Sequence, residues 1–136
     1  MLKPILLMLV LAALQLPTFA QTQLEMNEQA WSQCAKADAK LNQVYKAVLK
    51  RYKDNPLTVS KIQAAERAWL KYRDAEIDAI FPLYNTPKAA LEYGSVRSMC
   101  KAGELKSLTE NRIKELEMWL KMEEGNVCGG SRLFSN

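Results

Sequence analysis

A chain of 136 residues has the length of one domain, and 49% hydrophobic and 25% charged residues with five glycines and five prolines exclude collagen-like, low-complexity and wholly disordered chains. It contains no histidine, which removes Ser-His-Asp and Cys-His nucleophile systems, the HExxH zinc site, histidine-ligated haem and the Glu-x-x-His di-iron bundle. The formal charge is +4, from 19 basic and 15 acidic residues that are interleaved without a Lys/Arg block or an RNP-type aromatic motif, so neither nucleic acid nor an anionic lipid surface is expected as a partner.

Residues 1–20 have the layout of a secretory signal. Lys3 supplies the positive start, Ile5 to Leu16 is almost wholly apolar, and Pro17-Thr18-Phe19-Ala20 ends with small residues where a signal peptidase reads them. The apolar run falls short of the roughly 20 residues a spanning helix needs. A bacterial lipoprotein would have Cys at the cleavage point, where this chain has Gln21. The expected product starts at Gln21, without a membrane span, and is periplasmic or secreted. Cys34, Cys100 and Cys128 all lie in that product, and three cysteines in an oxidising compartment imply one disulfide and one odd thiol.

Thr22 to Glu25 has the spacing of a capping box and opens a first helix. Cys34, Asp38, Leu41, Tyr45, Val48 and Tyr52 then recur at alternating steps of four and three, which puts them on one stripe. Asp54-Asn55-Pro56 stops that helix, and Pro56 or Thr58 starts the next, because proline lacks a backbone donor and suits a first turn. The second helix carries Ile62, Glu66, Trp69, Arg73, Glu76 and Ile80 at the same steps, widened by Ala65 and Ile77, and Pro82 ends it.

Phe81 to Pro87 reads as a loop that exposes Phe81, Leu83 and Tyr84 unless they fold back. Thr86-Pro87 gives a further cap-plus-proline start, and Gly94-Ser95 interrupts what would be a short helix. A third long helix is expected from Ser95 to Met122, with Val96, Met99, Cys100, Leu105, Leu108, Arg112, Leu116, Trp119 and Leu120 on its apolar side and Gly103 as a point of kinking. The predicted fold is all-α: an antiparallel bundle of three long helices, with a short fourth connecting helix where Gly94-Ser95 allows it. The domain is expected over residues 21–124, followed by a flexible tail over 125–136. With hairpin connections, helices one and three run parallel and Cys34 and Cys100 stand at similar heights. That predicts a Cys34–Cys100 disulfide, with Cys128 as the odd thiol of a monomer or the link in a dimer.

Asp38, Glu66, Arg73 and Arg112 fall on stripes that should be buried. An unpaired buried charge costs several kcal/mol, so these four are expected to form a structural ionic network. The competing reading uses Asp38 and Glu66 as the carboxylate pair of a small glycan-acting hydrolase. Ser98 to Lys101 matches the Ser-x-x-Lys spacing, but the companion elements of that enzyme class are absent and the chain is too short for its fold. No Asp-rich calcium loop occurs, so no metal and no cofactor are expected.

The run Ala65-Glu66-Arg67-Ala68-Trp69-Leu70-Lys71-Tyr72-Arg73-Asp74 resembles the Ala-Gln-Arg-Ala-Trp-Leu-x-aromatic-Arg-Asp signature of the lysozyme inhibitor LprI-like family, a group of small exported helical proteins. Trp69, Arg73 and Asp74 are positions of that motif. Ala37-Asp38-Ala39-Lys40-Leu41-Asn42-Gln43-Val44-Tyr45 is similar to that family's first helix. Gly94-Ser95, Cys100, Leu108-Thr109, Arg112 and Leu116 are similar to its third. The chain departs from the pattern at Gln29 and Ile77, where the family usually has Cys, and at Glu66, where it usually has Gln, so no family disulfide pattern carries over.

The resemblance implies a periplasmic, non-enzymatic binding protein and, in one branch, a lysozyme inhibitor. A second reading is an interaction or immunity module for another envelope protein. A mildly basic chain is not steered toward a basic animal lysozyme by charge, so inhibition would need an element that enters the acidic cleft. The candidate is the proline-stiffened loop with Phe81, Leu83, Tyr84 and Lys88.

Overall fold

The computed structural model describes residues 22–121 and 128–133; the expected signal segment, the residues about Met122 and the rest of the tail lie outside them. The described chain contains helices α1 (Gln23–Arg51), α2 (Pro56–Ile80), α3 (Ala89–Tyr93) and α4 (Arg97–Glu117), then a 3-10 turn at Gly130–Leu133. The fold is all-α and consistent with a helical bundle.

Each boundary has a local cause. The Glu25 N–H donates to Thr22 Oγ1 at 3.2 Å and the Thr22 N–H donates to the Glu25 carboxylate at 2.9 Å, so the capping box closes both ways. Asn55 Oδ1 accepts the Thr58 N–H at 3.0 Å and Pro56 takes the first turn of α2. That helix stops at Phe81, ahead of Pro82. Thr86 does not cap the short helix, because its hydroxyl donates to the Leu83 carbonyl at 2.7 Å, and α3 begins at Ala89. Gly94 ends α3 at φ 65, a left-handed value that glycine adopts without strain. Gly103 does not interrupt α4, which runs unbroken to Glu117 rather than to Met122.

The register follows from cross-helix bonds. The Met99 N–H donates to Asn27 Oδ1 at 3.1 Å, Thr109 bonds Asp38, and the Tyr52 hydroxyl donates to the Trp119 carbonyl, so α1 and α4 run parallel. Arg73 faces Asp38, and Glu66 faces Arg112, so α2 runs the other way. The closest pair is α1 with α4. Small buried residues, Cys34 and Ala37 on one side and Ala102 and Thr109 on the other, let those two backbones approach. Larger side chains, Trp69 and Tyr45 among them, fill the space between α2 and that pair.

The core sits at the end of the bundle where α1 finishes. Leu41, Val44, Val48 and Tyr52 of α1 meet Ile62 of α2 and Ile113 and Leu116 of α4. Tyr52 and Trp119 meet edge to face, centroids 5.6 Å apart at 86°. Within the stretch expected to be a flexible tail, the turn at Gly130–Leu133 lies against this end: the Arg132 carbonyl accepts from the Tyr52 hydroxyl at 3.4 Å, and its guanidinium lies 5.8 Å from the Trp119 ring centroid.

The expected Cys34–Cys100 disulfide is not formed; Cys34 is buried and Cys100 is exposed, each as a thiol. The parallel arrangement is as anticipated, but its register is not. Asp38 pairs with Thr109 and Asn27 with Met99, which sets Cys34 level with Leu105, about five residues or about 8 Å along the axis from Cys100. A disulfide requires Cα atoms within about 7 Å and facing side chains, and Cys100 points outward.

Two outcomes test this packing. A maleimide reagent should label Cys100 in the native protein and reach Cys34 only after unfolding, read by mass spectrometry. Leu116→Ala should cost about 2 to 5 kcal/mol in a urea titration, because it empties a fully enclosed position between α1 and α4.

Candidate functional site

The four inward charges form a layer across the middle of the bundle. Nε and Nη2 of Arg112 both donate to Glu66 Oε2 at 3.0 Å, and Arg112 Nη1 reaches Glu115 at 2.7 Å. Arg73 holds Asp74 through two nitrogens at 3.0 and 2.9 Å and stands 3.7 Å from Asp38. Asp38 Oδ1 also accepts from Thr109 at 3.4 Å. Trp69 packs near both arginines, with guanidinium carbons 5.5 Å (Arg73) and 5.8 Å (Arg112) from its ring centroid. The layer therefore joins all three long helices through one tryptophan.

The two ion pairs differ in environment. The side chains of Glu66 and Arg112 are 9% and 14% exposed, whereas Asp38 is 47% exposed. Charge-assisted bonds gain strength where water is excluded, so Glu66–Arg112 carries most of the layer's energy and Asp38–Arg73 little.

Burial pushes the Cys34 thiol above its ordinary value, the Asp38 carboxylate adds to that, and Arg73 pulls the other way. Burial likewise raises the Tyr45 hydroxyl, helped by Glu66 and opposed by Arg67. Both groups lie on the face where α1 meets the layer.

The loop after α2 does fold back. Phe81 packs edge to face on Tyr93 at 5.7 Å and on Tyr84 at 6.3 Å. The Tyr93 hydroxyl accepts the Leu83 N–H at 3.1 Å, and the Lys101 ammonium stands 4.0 Å from the Tyr84 ring centroid. Phe81, Leu83 and Tyr84 are thus half-buried, and Lys88 remains exposed. Three successive turn bonds, Tyr84 N–H to Phe81, Thr86 N–H to Leu83 and Ala89 N–H to Thr86, stiffen the corner. Beyond it Leu91 projects from α3, 92% exposed. Periodicity could not single out Leu91, because a five-residue helix is too short to show a stripe.

Ser98 and Lys101 do not form a nucleophile and base. The Ser98 hydroxyl accepts from Trp31 Nε1 at 2.8 Å while Lys101 is drawn to Tyr84, so the two face different partners. Among the described residues no group of three or more Cys, Asp or Glu is placed to hold a metal ion. Between α1 and α4, Lys36, Lys40, Lys106 and Lys114, mixed with Glu110 and Glu117, rim an open groove of about 640 Å³ floored by Ala37 and Ile113, and Lys106 is paired with Glu110 at 3.0 Å. Interleaved charges hid this groove in the sequence, since its two rims meet only when α1 and α4 lie side by side.

Arg112→Ala should cost about 3 to 5 kcal/mol in chemical denaturation, because it strands the enclosed Glu66, and Glu66→Ala should cost less, because Arg112 keeps Glu115. Asp38→Ala should cost at most about 1 kcal/mol, its pair being longer and half open to water. Because the fold raises both Cys34 and Tyr45, the unfolded chain releases those protons first as the pH climbs. Stability should fall as the pH passes 9.0, the ordinary value for Cys, and again past 10.0, that for Tyr. Melting curves of Cys34→Ala and Tyr45→Phe should flatten the two steps in turn.

Among the described residues no helix is long and apolar enough to cross a membrane. The chain matches no curated protein and no solved structure at a significant level. Residues 17–116 match the family model described as lysozyme inhibitor LprI, a span that contains the ionic layer, the folded-back corner and nearly all of α4. The helical bundle with its Trp69-centred layer therefore belongs to the lysozyme inhibitor LprI family.

Proposed function

We propose that this protein is an exported, non-enzymatic binding protein that inhibits a lysozyme or related muramidase by presenting the corner between α2 and α4. The observation that carries this reading is the corner itself: a proline-containing segment held by three successive turn bonds and an aromatic cluster, with Lys88 outward and Leu91 beside it one helical turn on. A muramidase cleft holds two carboxylates, so a narrow element with a cation at its tip is complementary to it. Stiffness favours the same use, because little loop entropy is lost on binding. Phe81, Leu83 and Tyr84 then brace the tip from behind, while Lys88 and Leu91 make the contact.

The membership of the chain in an inhibitor family supports the binding role. The hydrolase reading is disfavoured by the state of its two acids. Glu66 is enclosed and its Oε2 is spent on Arg112, so proton delivery to a glycan would first have to break two bonds. The secretory features of residues 1–20 support a periplasmic or secreted location, where muramidases act.

Titrating the protein into a cell-wall lysis assay with lysozyme should slow lysis in proportion to occupancy. Lys88→Ala and Leu91→Ala should each weaken inhibition by about tenfold with unchanged helix content, the effect expected for an anchoring contact. Undiminished lysis at large molar excess would reject the inhibitor role and leave the interaction or immunity module as the reading to pursue, by capture from an envelope extract.

A further inference from the structure

The two motifs on α1 and α2 meet across a cleft of about 310 Å³, at the low end of the range for small-molecule pockets. Its acids are already committed. Glu66 is bound by Arg112, and Asp38 by Arg73 and Thr109, so the layer beneath the cleft is satisfied from within the protein. Around that base stand polar groups with no hydrogen-bond partner among the described residues: the Arg67 guanidinium, the Tyr45 hydroxyl and the Gln63 side-chain amide. Leu41 and Leu70 supply apolar wall.

An arginine with an open guanidinium fork, beside a hydroxyl donor and an amide, matches a carboxylate, which takes two parallel N–H bonds from the fork and a third from the hydroxyl. Tyr45 lines the cleft, and its hydroxyl, protonated at neutral pH, is available there as a donor. The leucines and the Tyr45 ring suit a compact apolar body behind that carboxylate. A longer polyanion does not suit, because the cleft is small and of its two lining arginines only Arg67 is uncommitted, Arg73 being held by Asp38 and Asp74.

We infer that the α1–α2 cleft is a binding site for a small organic monocarboxylate, held by Arg67, Tyr45 and Gln63 with its apolar face on Leu41 and Leu70. Two sources offer this chemistry, an acidic sugar and an N-acylated amino acid. The site is separate from the corner and does not depend on inhibition of a lysozyme.

The test is an NMR titration of isotope-labelled protein with three probes: N-acetylmuramate, N-acetyl-leucine, and N-acetylglucosamine as the neutral sugar. At least one acid should bind with a dissociation constant of about 1 mM or tighter, shifting Arg67 Nε and the side-chain amide of Gln63, and the neutral sugar should bind at least about tenfold weaker. Whichever acid binds identifies the source. Arg67 is exposed and holds no internal partner, so Arg67→Ala should keep its melting temperature and weaken binding by about tenfold or more; Tyr45→Phe should weaken it by a few fold. Absence of shifts with both acids would overturn the assignment, as would equal binding of the neutral sugar or unchanged binding in Arg67→Ala.

Discussion

The bundle depends on one buried contact, the pairing of Glu66 with Arg112. The helices α1 and α4 need little help: small side chains along their interface let the backbones approach and leave few polar groups to satisfy. No such stripe of small residues joins α2 to them. It stands off on large side chains, and the bond from Glu66 to Arg112 is its fixed point on α4. Hydrophobic packing alone is non-directional and would allow α2 to slide by a turn. An enclosed ion pair does not, because a displaced carboxylate would be left without its guanidinium.

The same constraint shapes what can bind. With Glu66 bound by Arg112 and Asp38 by Arg73 and Thr109, these two acids are poor candidates for chemistry. Arg67 and Tyr45 are left facing the cleft, while the α1–α4 groove carries lysines mixed with Glu110 and Glu117. Trp69 serves both pairs at once, since both guanidinium groups lie within about 6 Å of its ring centroid. On the proposed binding role, specificity is set by exposed groups held on this rigid frame.

The corner after α2 shows a break between helices that the sequence makes legible and a degree of exposure that it leaves open. Two prolines and an asparagine do mark a break between helices. Phe81, Leu83 and Tyr84 nonetheless withdraw, because Tyr93 and Lys101, twelve and seventeen residues further on, return to cover Phe81 and Tyr84. No local pattern announces that return. Leu91 stays out for the complementary reason, that α3 is too short to turn it under.

Periodicity and capping chemistry were sufficient for α1, α2 and the body of α4. The signals involved, a capping box at Thr22, Asn55 before Pro56 and apolar steps of three and four, act within one or two turns and need no tertiary partner. The same patterns marked Asp38, Glu66, Arg73 and Arg112 as inward charges, since a charge on an apolar stripe is visible without coordinates. Only the tertiary structure decided which charge meets which, that Cys34 lies level with Leu105 and not with Cys100, and that Arg67, Tyr45 and Gln63 share a cleft. Those relations depend on the axial register between helices far apart in the chain. Register is a property of packing, in which a shift of one turn leaves every local preference of the sequence equally satisfied.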